Sequence, residues 1–166
     1  MNAPIKLLLI AFALCRRGIA AMEFALVAPV GVVLLLGISE TGTAMLIDRK
    51  VTRASYIGAD LVAQETTMSD EKVADVFTAM EAILQPFPAG AHLRVTSVWL
   101  NPDTSATEVD WSEARNGDVD SGDYELPDGL IVQDGDSVIV THIVYNYSPL
   151  YDDFIFGDIT LEDKSY

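Results

Sequence analysis

The sequence has a single cysteine, Cys15, in 166 residues. One thiol cannot form a disulfide within the chain, and it cannot contribute to a metal site built from several cysteines. The length is sufficient for one domain with a modest core, or for a membrane segment followed by a domain of about 100 residues.

Basic residues are scarce: 10 Lys and Arg stand against 25 Asp and Glu, for a net charge of −15. From Ser55 onward there are 22 acidic and 4 basic residues, a net charge of −18, whereas the first 54 residues carry a net charge of +3. An acidic domain of this kind would repel a phosphate backbone, so nucleic-acid binding is disfavoured.

Catalytic motifs are missing from the sequence. It has no Gly-x-Ser-x-Gly elbow and no phosphate-binding loop. Its two histidines, His92 and His142, fall in predicted strands, and without a motif they indicate neither a zinc site nor a nucleophile–base pair. We therefore predict a protein that is not an enzyme and that needs no cofactor.

One long apolar run is present, from Ile19 to Ile38. Glu23 is the one charged residue among these 20, which as a helix would be about 30 Å long and match the core of a bilayer. Pro29 and Gly31 are tolerated in membrane helices because neighbouring groups satisfy the backbone. The run predicts a transmembrane helix rather than the buried helix of a soluble core.

The segment before this run also carries nine consecutive apolar residues, which resembles the start of a secretory signal peptide. No small-x-small cleavage pattern follows it, since Arg16 and Arg17 come next. A lipoprotein site at Cys15 is equally poor, because the bulky Leu14 stands where a small residue is needed.

After the apolar run the pattern becomes amphipathic. One helix is predicted from about Ala20 to about Gln64, with its first half in lipid and its second half packed on a soluble domain. Its apolar positions in the second half are Ile47, Val51, Ala54, Gly58, Leu61 and Val62. A second helix is predicted to begin near Ser69 and to end at Gln85-Pro86. Its apolar face consists of Val73, Val76, Phe77, Met80, Ile83 and Leu84.

From His92 the pattern indicates strands. "HLRVTSVWL" alternates as a strand does, and "LIVQDGDSVIVTHIVYNY" is typical of a hairpin around an Asp-Gly turn. "DFIFGDITLED" is predicted to add a last strand, and "ARNGDVDSGDYELPDG" is predicted to be a long loop. The overall expectation is an α+β fold in which a long N-terminal helix packs on a second helix and an antiparallel sheet.

Three aspartates in this loop, Asp118, Asp120 and Asp123, suggest calcium as an alternative. An EF-hand loop needs glycine at its sixth position and glutamate at its twelfth, but counting from Asp118 puts Gly122 at the fifth and Gly129 at the twelfth. We therefore expect a solvated acidic loop, with a looser calcium site as the weaker alternative.

The position of Glu23 calls for an explanation. Two arginines are followed by Gly18, four apolar residues, Glu23 and Phe24. If the chain were cut after Gly18, Ile19 would carry a free α-amino group and Glu23 would be the fifth residue. A carboxylate in an apolar environment needs a partner charge, and the new amine of its own or a neighbouring subunit could supply it. The alternative is a glutamate that reaches toward the edge of the membrane.

This arrangement resembles the type IV prepilins, and "RRGIAAMEFALVAPVGVVLLLGISETGTAMLIDRKVTRASYIGADLVA" resembles the TadE-like family of the tight adherence (Flp) pilus system. "LPDGLIVQDGDSVIVTHIVYNYSPLY" is also similar to the end of such proteins. The resemblance implies a pilin-like fold, with a leader at residues 1–18, a transmembrane half-helix at 19–40 and an extracytoplasmic domain at 41–166.

The family further implies that a prepilin peptidase cleaves between Gly18 and Ile19, and that Glu23 and Phe24 serve assembly. The chain would then be a pseudopilin or minor pilin of the bacterial inner membrane, with a periplasmic domain. Its partners would be other pilin-like subunits and the membrane platform of the pilus. The main alternative is an uncleaved, membrane-anchored extracytoplasmic binding domain, and a calcium-dependent adhesin or hydrolase is a third.

Overall fold

The computed structural model describes residues 17–87, 90–127, 129–131, 133, 135–149 and 157–166. Within them lie two helices and a four-stranded antiparallel sheet, so the predicted α+β class is confirmed. The elements in chain order are α1 (Arg17–Ala63), α2 (Asp70–Leu84), β1 (Ala91–Leu100), β2 (Thr107–Arg115), β3 (Ser137–Tyr147) and β4 (Ile159–Ser165). The chain divides into two compact units, a first that ends at Thr41 and a second formed by Gly42–Tyr166.

Helix α1 begins and ends close to the predicted positions. In the second unit, the predicted amphipathic face of α1 is buried, and Ile47, Val51 and Ala54 are almost completely inaccessible. Leu61, at the edge of this face, is half-buried. The 3-to-4-residue repeat therefore identified the core face correctly.

Helix α2 also confirms the sequence signals. Ser69 is the N-cap, and its hydroxyl accepts a hydrogen bond from the backbone N–H of Lys72 at 3.4 Å. Asp70 and Glu71 occupy the first turn, where the helix dipole favours negative charge. The helix ends at Leu84, directly before Gln85-Pro86. Its buried residues are Val73, Val76, Phe77, Met80 and Leu84, while Ile83 is half-buried.

The strands are arranged in the order β2-β1-β3-β4. One face of this sheet packs on α1 and α2, because alternate residues of a strand point to the same side. The sheet residues in the common core are Ala91, Leu93, Val95, Ile143, Tyr145 and Tyr147. At the centre of the packing, the buried Ser55 hydroxyl on α1 donates a 3.1 Å hydrogen bond to the backbone carbonyl of Thr141 on β3.

Helices α1 and α2 pack closely at Gly58. A β-carbon added at Gly58 would lie 2.8 Å from the sulfur of Met80, a side chain with no solvent exposure. We expect Gly58→Val to lower the free energy of unfolding by about 1–3 kcal/mol through overpacking. Chemical denaturation of the full-length protein in mild detergent, followed by near-UV circular dichroism, measures the change.

The matched control is Gly42→Val in the same helix. Nothing lies within 4 Å of a β-carbon added at Gly42, so this variant should be as stable as the wild type or slightly more stable, because valine is the better helix former. Equal destabilisation by both substitutions would contradict close packing at Gly58.

The structure differs from the sequence prediction at two places in the sheet. Strand β2 was not predicted, because "TEVDWSEAR" carries three acidic residues and few strongly β-forming ones. It lies at an edge of the sheet, where charged side chains are tolerated. Its pairing with β1 shifts register between Ser97 and Val98, which pair with Trp111 and Val109.

The predicted hairpin is also wrong. Its second apolar run forms β3, but Leu130, Ile131 and Gln133 of the first run are not in a strand. Strand β3 pairs with β1 on one side and β4 on the other, so both of its edges are occupied. Val132 and Asp134 lie outside the described residues.

The predicted last strand corresponds to β4, which begins at Ile159 and ends at Ser165. The first part of that prediction, residues 153–156, lies outside the described residues, as do residues 1–16 of the predicted leader.

Candidate functional site

The residues that sequence analysis selected for processing and assembly lie in the first two turns of α1. Gly18, Ile19, Glu23 and Phe24 are all exposed, with 53% of Ile19 and 73% of Phe24 accessible. A β-carbon added at Gly18 would have no neighbour within 4 Å. The peptide bond between Gly18 and Ile19 is therefore unobstructed by the described part of the chain.

The spacing places Ile19 and Glu23 on one side of the helix. They are four residues apart, which is a little more than one turn of 3.6 residues. The first four backbone N–H groups of any helix lack partners within it, and its N-terminal end carries partial positive charge. Glu23 lies beyond the first turn of α1, which holds no acidic residue, so the dipole contributes little there. A charged amine at Ile19, one turn away, would instead supply a partner charge.

The helix around these residues exposes a continuous apolar surface. In the most apolar 18-residue window of the candidate span Gly18–Ala63, the mean hydropathy is 2.4 and no residue is buried. Within the described residues, this is one helix long and apolar enough to cross a membrane. Soluble proteins seldom expose apolar patches of this size, so the surface requires lipid or a partner.

A second group of polar residues lies on the face of the sheet that points away from the helices. Arg94 on β1 is directly opposite His142 on β3. The Arg94 Nη2 and the His142 Nδ1 are 2.5 Å apart, and the His142 Nε2 is 2.9 Å from a carboxylate oxygen of Glu162 on β4. Because a guanidinium can only donate, the Nδ1 of His142 accepts and its Nε2–H donates to Glu162.

This arrangement keeps His142 neutral. Burial lowers the pKa of His142, and the nearby Arg94 charge lowers it further, while the hydrogen bond to Glu162 opposes the shift. Lys164 adds a smaller unfavourable charge. The histidine therefore connects Arg94 to Glu162 across three strands.

The acidic loop after β2 folds back on this face of the sheet. The Asp120 carboxylate accepts a 2.9 Å hydrogen bond from the Thr96 hydroxyl and lies 3.0 Å from the Arg94 Nε. The backbone carbonyl of Asp118 accepts from the Arg94 Nη1 at 3.2 Å, and Asp123 forms a β-bridge with Glu108. The loop is thus partly ordered by Arg94 rather than simply solvated.

No set of three His, Cys, Asp or Glu side chains among the described residues is placed to hold a metal ion. A cleft of about 490 Å³ lies beside the network and is lined in part by His92, Arg94, Asp118 and His142. The polar groups of Arg94 and His142 already bind each other and nearby acceptors. Both histidines lie in strands, as predicted from the sequence. Arg94 could not be predicted as their neighbour, because only the pairing of β1 with β3 brings it next to His142.

Comparison with known protein families bears on the N-terminal segment. Residues 18–60 match the model of the TadE-like protein family. The predicted resemblance to this family is confirmed over that segment. The match includes Glu23 and Phe24 and begins at Gly18, and it does not extend to the C-terminal segment that also resembles such proteins. No significant match to a curated protein or to a solved structure was found.

The TadE-like match connects the chain with the tight adherence pilus system, and the apolar part of α1 fits a membrane location.

Proposed function

We propose that this protein is a pseudopilin or minor pilin subunit that supports assembly of an adhesive tight adherence pilus. The observation that carries the proposal is the TadE-like match, which begins at Gly18 and continues along an exposed apolar helix. The matched segment includes Gly18, Ile19, Glu23 and Phe24, the residues predicted to serve processing and assembly.

The first step of the proposed role is proteolytic processing. A prepilin peptidase hydrolyses the bond between Gly18 and Ile19, which leaves a carboxylate on Gly18 and an ammonium group on Ile19. The open surroundings of Gly18 and the two preceding arginines support this assignment. The mature chain then begins at Ile19, within α1, and keeps the rest of that helix.

The second step is assembly, in which Glu23 pairs with the α-amino group at Ile19 of its own or an adjacent subunit. Glu23 lies between exposed apolar side chains, including those of Met22 and Phe24. An ionised carboxylate in such a setting needs a compensating charge. Phe24 would contribute apolar contact area to the same interface.

The proposed topology is a single pass through the bacterial inner membrane, with residues 19–40 in the bilayer and residues 41–166 in the periplasm. The charge distribution alone does not select this orientation. Lys6, Arg16 and Arg17 precede the span, whereas Arg49, Lys50 and Arg53 follow it. The orientation therefore rests on the resemblance to processed prepilins.

The proposed role is structural rather than catalytic. In the cleft on the outer face of the sheet, Arg94 is held by Asp120, Asp118 and His142, and His142 is held by Glu162. A general base or nucleophile would need an accessible polar group directed toward a substrate. These groups are instead directed toward one another.

Deletion of this chain in its host tests the proposal. We expect surface pili to be lost and to return when the wild-type gene is supplied, with electron microscopy and shear-fraction analysis as readouts. Supply of the Lys72→Gln variant serves as the control, since Lys72 pairs with Glu65 on the surface of the second unit. Normal piliation without the chain would contradict the proposal and favour the uncleaved binding-domain alternative.

A further inference from the structure

Within the second unit, the exposed side of α1 carries an amphipathic stripe formed by Met45, Leu46, Arg49, Arg53 and Tyr56. Met45 and Leu46 are neighbours, and the residues that follow come three or four positions apart, so all five lie on one side of the helix. Met45 is 56% exposed and Tyr56 is 68% exposed. The opposite side of the same segment is buried in the core, so the stripe faces outward.

The two arginines of this stripe differ from three of the other five Lys and Arg residues of the domain. Lys72, Arg94 and Arg115 each form an ion pair with a carboxylate. No carboxylate of the described residues lies within ion-pair distance of Arg49 or Arg53. They are four residues apart, a spacing at which like charges repel. Two neighbouring arginines with no carboxylate of the described residues at ion-pair distance offer a site to an anionic group from outside the chain, although Asp48 and Asp163 line the same cleft.

Two clefts border the stripe. One, of about 450 Å³, is lined by Gly42, Met45, Leu46, Arg49, Lys50 and Arg53. The other, of about 430 Å³, is lined by Arg49, Arg53 and Tyr56 together with Asp48, Thr52, Asp163, Lys164 and Ser165. Lys50 donates to the backbone carbonyl of Ile83 at 3.1 Å, so Arg49 and Arg53 are the cations of this segment that are available to a ligand.

We propose that this stripe binds the headgroups of anionic phospholipids at the membrane surface. Arg49 and Arg53 lie within 15 residues of Ile38, the end of the apolar run, and basic residues this close to a span are attracted to anionic headgroups. Tyr56, Met45 and Leu46 match the aromatic and apolar side chains that such interfaces favour. The proposal depends on the membrane span and is independent of any role in a pilus.

Charge also orients the domain under this proposal. The 22 acidic residues from Ser55 onward are repelled by an anionic surface, so the stripe is the side that such a surface attracts. The acidic surface of a second copy of the chain is negatively charged, as the anionic membrane surface is, and could also attract the stripe. Lipid is the better occupant, because the stripe follows the apolar run by only a few residues in the sequence, and this covalent connection raises the local concentration of headgroups.

Native mass spectrometry of the full-length protein in an uncharged detergent tests the proposal. The protein is titrated with dioctanoyl phosphatidylglycerol, dioctanoyl phosphatidylcholine and inorganic phosphate. We expect phosphatidylglycerol to bind more tightly than phosphatidylcholine, and Arg49→Gln and Arg53→Gln each to weaken that binding by roughly fivefold. Lys72→Gln, which removes one positive charge from a different surface, should bind as the wild type does.

Three outcomes would overturn the proposal. Equal affinity for the two lipids, or unchanged binding in the Arg49→Gln and Arg53→Gln variants, would show that the stripe does not recognise anionic headgroups. Equal affinity for inorganic phosphate and phosphatidylglycerol would assign the clefts to a free anion. If the protein self-associates, and if both arginine substitutions abolish this self-association while lipid binding is unchanged, the stripe binds a second copy of the chain.

Discussion

Replacement of Gly18 by alanine is expected to leave residues 1–18 attached to the protein in a host that has a prepilin peptidase, whereas the wild type loses them completely. Gly18 contributes no side chain next to the scissile bond, and its surroundings in the described chain are empty. A peptidase that cuts after glycine can bring its catalytic groups close to the backbone, and a methyl group would obstruct that approach. Intact-mass analysis of purified protein measures the difference directly.

The matched control for this experiment is Gly31→Ala. It makes the same substitution in the same apolar helix, at a position where an added β-carbon also has no neighbour within 4 Å. This variant should be processed like the wild type. Retention of Met1 at full abundance in the wild type would show that the chain is an uncleaved membrane protein, and cleavage of the Gly18→Ala variant would move the processing site elsewhere.

The helices could be predicted from the sequence because local signals and burial agree there. Ser69, two acidic residues and an apolar face every three or four positions all indicate α2, and a proline marks its end. In α1, the same residues that repeat in the sequence, such as Ile47 and Val51, are those that the sheet buries. Periodicity and tertiary packing therefore lead to the same assignment.

The sheet could be predicted only in part, because strand pairing is not a local property. "TEVDWSEAR" has a low strand propensity and becomes β2 because β1 offers a free edge. The apolar residues before Ser137 look like a strand, yet both sides of β3 are already paired. An Asp-Gly pair between two apolar runs therefore did not produce a hairpin here, because strands distant in the sequence occupy both edges of β3.

The two candidate sites also differ in how far the sequence alone reveals them. Gly18, Ile19, Glu23 and Phe24 form a contiguous motif, so the sequence displays their order directly, and the family match covers them. The network of Arg94, His142, Glu162 and Asp120 joins three strands and a loop. Its members are separated by tens of residues, and only the register of the sheet brings them together.

Replacement of Glu23 by glutamine is expected to abolish assembly while leaving membrane insertion and processing intact. Glutamine has nearly the same shape but no charge, and removal of a charge from an apolar helix makes insertion easier. The residues next to Gly18 are unchanged, so cleavage should proceed. Neutralising one partner of a buried ion pair costs about 3–5 kcal/mol, because the other charge is left uncompensated. That corresponds to a loss of roughly a hundredfold or more in the association constant between subunits.

Three measurements on the same strain separate this effect from a general folding defect: protein in the membrane fraction, the mass of the mature chain, and surface pili. For Glu23→Gln the first two should match the wild type and the third should be lost. Glu23→Asp keeps the negative charge on a shorter side chain, and it should retain more piliation than the glutamine variant does.

If the carboxylate only reaches toward the membrane edge, Glu23→Gln at wild-type protein levels will form normal pili, and the pairing of Glu23 with the amine of Ile19 is then wrong. If all three measurements fall together, the substitution has disturbed the helix itself. In that case the charge pair has to be tested from its other side, by blocking the α-amino group of the mature chain.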